Sequence, residues 1–536
     1  MKKNFNMKNI INIIITLVFA GLFYYVALPP LNLQAPSFWT FAFMVYGVYL
    51  ALTFFSLISF ANGNGHLNTL KLSKGFKIML SIIPIGIAMI LITNFVLSPL
   101  FNSRSYASRI VINEGKEFQT EVKPVDFSHV PLLDRTSTEK IGDRVMGEMT
   151  DLVSQFTVSN LYTQINYADS IVRVTPLEYA GLVKYFTNRG KGITGYIIVD
   201  SVNGEAKLVR LEKGMKYMPS AMFNENLERK LRFSYPTEIF GEYNFELDNE
   251  GNPYWIVPTI SYSGIGLKRE ISGVIILDPI TGDSKKYDID EVPTWVDHVY
   301  NADVILEQVN NWGLYSGGYL NSIFGQKNVV ATTTGYNYVA QDDDIYLYTG
   351  ITSVASDESN LGFILTNMRT KETNYYLIPG AEEYSAMASA EGQVQQMKYT
   401  ATFPLLINLN GIPTYLISLK DNAGLVKMYA FVDVQNYQKV VVTDANEGIL
   451  KARDNYLKNS GVENNNSKNE TEIIIKNIYT VMIDGNTYYY FTDSEDKRYK
   501  VSIKVSEDNL PFVKVGDKLK IKYVESSNVN EIIEIL

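Results

Sequence analysis

The chain has 536 residues, too many for one hydrophobic core, so several domains are expected. It contains no cysteine, which excludes disulfides, thiolate nucleophiles and cysteine-based metal sites. Its net charge is −9, and an acidic chain argues against general nucleic-acid binding, which needs Lys and Arg to neutralise phosphates.

The charge is unevenly split. The first 100 residues hold six lysines (Lys2, Lys3, Lys8, Lys71, Lys74 and Lys77) and no Asp, Glu or Arg, leaving −15 for residues 101–536. Within the lysine-bearing part lie three uncharged apolar runs, at about 10–28, 38–61 and 78–100. Each is long enough to cross about 30 Å of hydrocarbon at 1.5 Å per residue. Pro29 and Pro30 end the first run, and a glycine–asparagine stretch ends the second. Lysines flank the N-terminus and the second loop, while the first loop is uncharged. The positive-inside rule therefore predicts a cytoplasmic N-terminus and an extracytoplasmic body, in a multi-pass cell-membrane protein. Arg104 and Arg109 lie on the opposite side from that expectation, offset by Glu114 and Glu117. No charge lies within a span, which disfavours a channel or transporter. Asn12 and Asn94 are the strongly polar side chains at depth, and such residues glue helices together.

Residues 101–450 read as an α+β body. A strand is expected at 108–113. Helical spacing predicts a helix at 137–155, and Pro176 opens a second at 176–186. The period then becomes two. Strand 195–200, an Asn203–Gly204 turn and strand 206–211 form a hairpin. Strands at 243–247 and 254–257 flank a turn at 248–252, and strands at 273–277 and 285–287 flank another at 278–282. A meander of antiparallel strands follows over 403–442.

The segment YWIV (254–257) followed by GVIILDPITGD (273–283) resembles the strand–strand–D-x-x-T-G hairpin of PepSY-type domains. TYLI (414–417) with YAFVDV (429–434) is a looser copy that lacks the Thr-Gly. The resemblance implies PepSY-like extracytoplasmic binding or inhibitory modules. Over residues 100–450, segments such as SQFTV (154–158), QINY (164–167), YLYTGITS (346–353) and GAEEYSAMASAEG (380–392) are similar to bacterial membrane proteins loosely labelled "cell shape-determining". That likeness implies a cell-envelope setting and carries over no functional residues.

Candidate chemistry is sparse. The chain has three histidines, His66, His129 and His298, and lacks the HExxH, GxSxG and P-loop patterns. Asp342, Asp343 and Asp344, with Asp357 across a hairpin, could supply hard oxygens for Ca²⁺. A solvated β-turn accounts for the same residues. Trp312, Tyr315 and Tyr319 in an aromatic, glycine-rich stretch could bind a glycan or peptide, and Glu382 and Glu383 amid small residues could line a binding pocket. Packing is the commoner explanation for both groups. Lys191, in a basic glycine turn, could meet a phosphate.

Residues 451–470 read as a polar linker. Five short strands, at 472–478, 487–491, 498–505, 518–523 and 531–536, then predict a small β-barrel, OB-like or SH3-like, over 471–536. Its YYYF run (488–491) would suit base stacking in a nucleic-acid binder, though alternate aromatics must face the core. The sequence as a whole points to a membrane-anchored envelope scaffold or binding protein. Two alternatives stand beside it: a metal-dependent envelope hydrolase using the Asp342–Asp344 cluster, Asp357 and Glu382, and a nucleic-acid-binding membrane protein acting through the barrel.

Overall fold

The structure is a computed structural model that describes residues 2–63, 74–127, 129–168, 170–341, 344–354, 356–460, 469–483, 486–524 and 529–536. It divides into two compact units, 1–449 and 450–536.

The larger unit opens with α1 (Lys2–Ala27), α2 (Pro36–Gly63) and α3 (Lys74–Val96). All three are long and apolar enough to cross a membrane. Asn12 on α1 donates to Ser56 on α2 at 3.1 Å, and Tyr46 on α2 donates to the Met79 carbonyl on α3 at 2.9 Å. The third helix ends earlier than the hydropathy run suggests. Ser98–Pro99 stops it, Pro99 opens α4 (Pro99–Ala107), and Asn102 donates back to the Val96 carbonyl at 2.7 Å.

The ends of these helices dock on the body. Arg229 and Arg232 donate to the Tyr25 and Leu28 carbonyls at the C-terminal end of α1. These acceptors are among the carbonyls a helix leaves unsatisfied. Leu31 and Asn32 bond the Pro236 and Thr237 carbonyls, at 2.7 and 3.0 Å. Asn94 exchanges two bonds with the Ile265 backbone, at 3.0 and 3.1 Å. This asparagine ties α3 to the body, whereas the sequence suggested a bond to another helix.

After α4 come β1 (Ile112–Lys116) and α5 (Phe118–Glu121). Four structural repeats follow. The first comprises α6 (Arg135–Glu148), β2 (Phe156–Val158), β3 (Thr163–Tyr167), β4 (Ser170–Tyr179), α7 (Leu182–Asn188), β5 (Ile193–Asp200) and β6 (Ala206–Met215). The second comprises α8 (Leu227–Ser234), β7 (Ile239–Phe240), β8 (Asn244–Leu247), β9 (Pro253–Ser261), β10 (Glu270–Leu277) and β11 (Ser284–Tyr287). The third comprises α9 (Ala302–Tyr315), β12 (Val330–Thr332), β13 (Asn337–Gln341), β14 (Asp344–Ser353), β15 (Ser356–Asn367), β16 (Thr373–Tyr376) and β17 (Gly380–Ala381). The fourth comprises α10 (Glu383–Gln393), β18 (Thr400–Ala401), β19 (Leu405–Leu409), β20 (Ile412–Lys420), β21 (Val426–Asp433) and β22 (Val440–Asp444).

One pairing rule runs through all four. The first short strand pairs the far end of the long third strand: Phe156 faces Tyr179, Phe240 faces Thr259, Thr332 faces Ile351 and Ala401 faces Leu419. The second strand is its hairpin partner and pairs the near end: Tyr167 faces Ser170, Leu247 faces Pro253, Gln341 faces Asp344 and Leu409 faces Ile412. Two more antiparallel strands follow in each sheet, and the third sheet adds β17 against β15. β1 joins the third sheet by pairing in parallel with β16.

This rule corrects the helix expected at 176–186. Pro176 and Leu177 belong to β4, and the helix begins at Leu182. Pro176 falls where β3 has ended and β2 has not begun, so its missing N–H interrupts no ladder on that side. The helix expected at 137–155 starts at Arg135, capped by Asp134, and ends at Glu148. The strand expected at 108–113 is a turn that leads into β1.

Successive sheets stack with helices between them. Trp255, Val257, Ile275 and Leu277 face the first sheet in a core shared with Leu227 and Leu231 of α8. Their neighbours Ile256, Val274 and Ile276 face the third sheet and Val304, Ile305 and Val309 of α9. Tyr348, Phe363 and Leu365 then face the fourth sheet and Ala386 and Ala390 of α10. Strands buried on both faces read as unbroken apolar runs, which is why 273–277 is GVIIL. The fourth sheet returns to the first across α6. Ser418 donates to the Leu132 carbonyl at 2.8 Å, and Lys420 pairs with Asp134 at 2.6 Å. Lys140 also bonds the Ala423 carbonyl. The four repeats therefore close into a ring.

The second unit begins with α11 (Ile449–Ser460), which occupies part of the stretch expected as linker. Ala452, Arg453, Tyr456 and Leu457 are buried. A closed barrel follows: β23 (Asn469–Ile483), β24 (Asn486–Asp493), β25 (Arg498–Ser502), β26 (Lys518–Val524) and β27 (Asn530–Ile535). Its circuit is β23-β24-β25-β27-β26, with β25 and β27 parallel.

Candidate functional site: a cleft where four repeats meet

In every repeat an aromatic residue stands one or two positions before the second strand: Tyr162, Tyr243, Tyr336 and Phe403. Because the repeats close on one another, these four equivalent positions converge. They line a single cleft of about 620 Å³ together with Asp134, Arg135, Thr136, Gln164, Arg173, Glu242, His298 and Tyr338.

Each polar wall has a structural origin. Asp134 caps α6 by accepting from the Ser137 amide at 3.1 Å, and so presents Arg135 and Thr136 at the cleft. Burial opposes ionisation of Asp134, but bonds from Lys420, Ser137 and Thr136 win and hold its carboxyl below the usual range. Arg173 is buried, donating to the Leu133 carbonyl, to Thr138 at 3.2 Å and to Gln164 at 2.8 Å. Burial pushes its guanidinium down to about 10, which still leaves it charged at neutral pH. Glu242 sits between the first two strands of the second repeat. Burial raises its carboxyl, Asp303 adds to the rise, and Arg135 and Arg269 oppose it. Tyr336 and Tyr338 contact edge to face, with ring centroids 5.6 Å apart.

A buried polar plug underlies the cleft. The His298 ring meets the Tyr338 ring edge to face at 5.3 Å. Its Nε2–H donates to the Gln164 carbonyl at 2.7 Å. Burial lowers its pKa, so it is neutral. Glu246 accepts the backbone N–H groups of Asp297 at 2.9 Å and His298 at 3.2 Å. Burial and the Asp297 charge raise the Glu246 carboxyl well above its ordinary value. Asp297 in turn accepts the Asn166 amide at 2.8 Å. The plug thus joins the first three repeats.

The residues singled out in the sequence lie elsewhere. Asp342 and Asp343 fall outside the described residues, as does the Asp357 side chain. Asp344 is held by Arg369 through two bonds, at 2.7 and 2.8 Å, and by Asn367 at 2.7 Å. Among the described residues no cluster of three metal-ligating side chains occurs. Trp312 packs against Tyr375, and Tyr315 stacks on Tyr319 and meets Tyr106 edge to face. Glu382 is the N-terminal flanking residue of α10. Glu383 is fully buried near Asn360. Burial raises its carboxyl, and the nearby polar groups of Thr333 and Asn360 oppose the rise. In the barrel, Tyr489 and Phe491 join the core. Tyr490 pairs across the strands with Tyr479 on a concave surface that also holds Arg498.

The sequence reading missed the cleft. Its one legible signal was the aromatic residue before each inner strand, and the four are spread from 162 to 403.

No family model matches this chain, and no curated protein matches it. Among solved structures, an ACO/RPE65 chimera aligns over 70% of this chain at 8% identity, with a TM-score of 0.14. The chain spans 64% of that structure's length. A likeness at this level carries no argument about fold or function.

Proposed function

We propose that this chain is a membrane-anchored cell-envelope binding protein whose ligand enters the cleft at the centre of the four-repeat ring. The observation that carries the reading is the convergence of Tyr162, Tyr243, Tyr336 and Phe403 on one polar cleft with Arg135 and Glu242. Rings flanked by hydrogen-bonding and charged groups suit a hydroxyl-rich ligand, and the reading commits to an envelope glycan. The lysines of the first 100 residues orient the spans with the N-terminus in the cytoplasm and the ring outside.

The repeats are read as PepSY-like modules of the kind found in envelope proteins. Supporting this, the D-x-x-T-G motif forms a compact turn. Asp278 accepts the Ile280 amide at 2.7 Å and the Thr281 hydroxyl at 2.9 Å. The looser copy repeats the device, with Asp433 accepting the Gln435 and Asn436 amides at 2.9 Å. The C-terminal barrel is read as OB-like, because its first-second-third-fifth-fourth circuit with a parallel third–fifth pair is the OB arrangement. Residues 469–536 carry a net charge of −3, which favours a protein or glycan partner over nucleic acid for that module.

Calorimetric titration of the full-length protein in nanodiscs with soluble envelope-glycan fragments tests the reading. Saturable binding that Tyr336→Ala and Arg135→Ala weaken supports it. Binding that neither variant changes, or no binding, sinks it.

A further inference from the structure

Two exposed apolar fingers project from the ring, and each is linked to the end of a spanning helix. The first comprises Leu182, Val183 and Phe186 of α7 with Phe223, exposed by 53, 72, 49 and 53%. Phe186 contacts Phe223 at 6.2 Å between ring centroids. Arg229 donates to the Phe223 carbonyl at 2.7 Å and lies over the ring of Tyr25, near the end of α1. Phe233 packs on Tyr24 and Tyr25 of the same helix. The second finger comprises Leu320, Ile323 and Phe324, exposed by 65, 48 and 81%. It follows Tyr319, which stacks on Tyr315, which packs on Tyr106. Tyr106 donates to the Leu97 carbonyl, one residue beyond α3.

The first finger is also basic. Residues 182–192 contain Lys184, Arg189 and Lys191 and no acid, inside a stretch, 101–536, that carries −15. Glu225 partly offsets them through Arg189, at 3.6 Å. Large aromatic and aliphatic side chains beside lysine and arginine are what the interface of an anionic bilayer attracts.

We propose that both fingers dip into the interface of the bilayer that holds α1–α3, with the basic first finger contacting anionic lipid headgroups. The ring is then seated on the membrane at two further points, which fixes the tilt of the central cleft. The inference rests on the reading that α1–α3 span a membrane.

The chain has no cysteine, so single-cysteine labelling needs no background removal. Val183→Cys, Phe324→Cys, Leu22→Cys (within α1) and Gln438→Cys (on an exposed turn) are each labelled with a fluorophore. The full-length protein is then placed in nanodiscs containing phosphatidylglycerol and brominated lipids. The labels at 183 and 324 are expected to be quenched at a depth of about 5–10 Å. The label at 22 is quenched more deeply, and that at 438 not at all. Labels at 183 and 324 that behave like 438 while 22 is quenched overturn the inference and leave the anchor standing. An unquenched 22 overturns the anchor and the inference with it. Labels at 183 and 324 shielded from aqueous quencher but untouched by bromine place a second protein copy on the fingers and overturn the lipid contact.

Discussion

Lys420 of the fourth repeat holds Asp134, the residue before the first repeat's helix, at 2.6 Å. The same carboxylate caps α6 through the Ser137 amide. One acidic side chain therefore both starts a helix and closes the ring.

Replacing Lys420 with Met leaves the cap but removes this one link of the closure, while the Ser418–Leu132 and Lys140–Ala423 bonds remain. Losing a hydrogen bond to a charged group costs about 1.5–3 kcal/mol. The loss should appear as a lower midpoint in denaturant unfolding. Asp134 has a depressed pKa in the folded state. Its contribution is therefore complete above the ordinary carboxylate value of about 3.9 and lost as pH falls through the folded value. Lys420→Met should flatten stability against pH in that acid range.

The two buried glutamates should respond oppositely to Gln. Glu383 is enclosed, with a raised pKa and no cation partner among the described residues. Its stabilising contribution is complete below the unfolded value of about 4.3 and lost as pH rises through the folded one. Glu383→Gln should therefore raise the melting temperature at pH 8 and match wild type near pH 4. The gain is about 1.4 kcal/mol for each unit of elevation removed.

Glu246 uses both oxygens to accept the Asp297 and His298 amides. A Gln amide would turn a donor towards one of them. Glu246→Gln is therefore predicted to destabilise by about 1–3 kcal/mol, the cost of an unsatisfied buried donor. Melting curves of the two variants side by side check the contrast.

Gly282 closes the D-x-x-T-G turn at φ +79°, and a Cβ there would lie 2.4 Å from the Tyr217 ring. Gly282→Ala should cost about 1–3 kcal/mol in denaturant unfolding, through backbone strain and the clash. Tyr217→Ala removes the clash alone, so a double-mutant cycle should show part of the loss recovered.

The three apolar helices were legible because hydrocarbon imposes a length and disfavours charge, and each holds a run long and apolar enough to cross a membrane. The hairpins were legible because turn residues such as Asn203–Gly204 and Asp278–Gly282 act locally. Pro176 misled because a proline reads as a helix opener, while its tolerance in β4 depends on where two other strands start and stop. The cleft was hidden for the same reason on a larger scale. Tyr162, Tyr243, Tyr336 and Phe403 meet only after the fourth sheet returns to the first, and no local pattern encodes that closure. Asp344 read as a possible metal ligand because Arg369, which holds it, lies 25 residues away.

The proposed glycan cleft is open and faces outward, and exposed Thr136 lines it. The most direct test labels Thr136→Cys on intact cells with a membrane-impermeant maleimide, with and without added envelope-glycan fragments. The account predicts labelling of intact cells that the fragments suppress. Labelling only after lysis would contradict the orientation, and labelling that the fragments leave unchanged would contradict the cleft as their binding site.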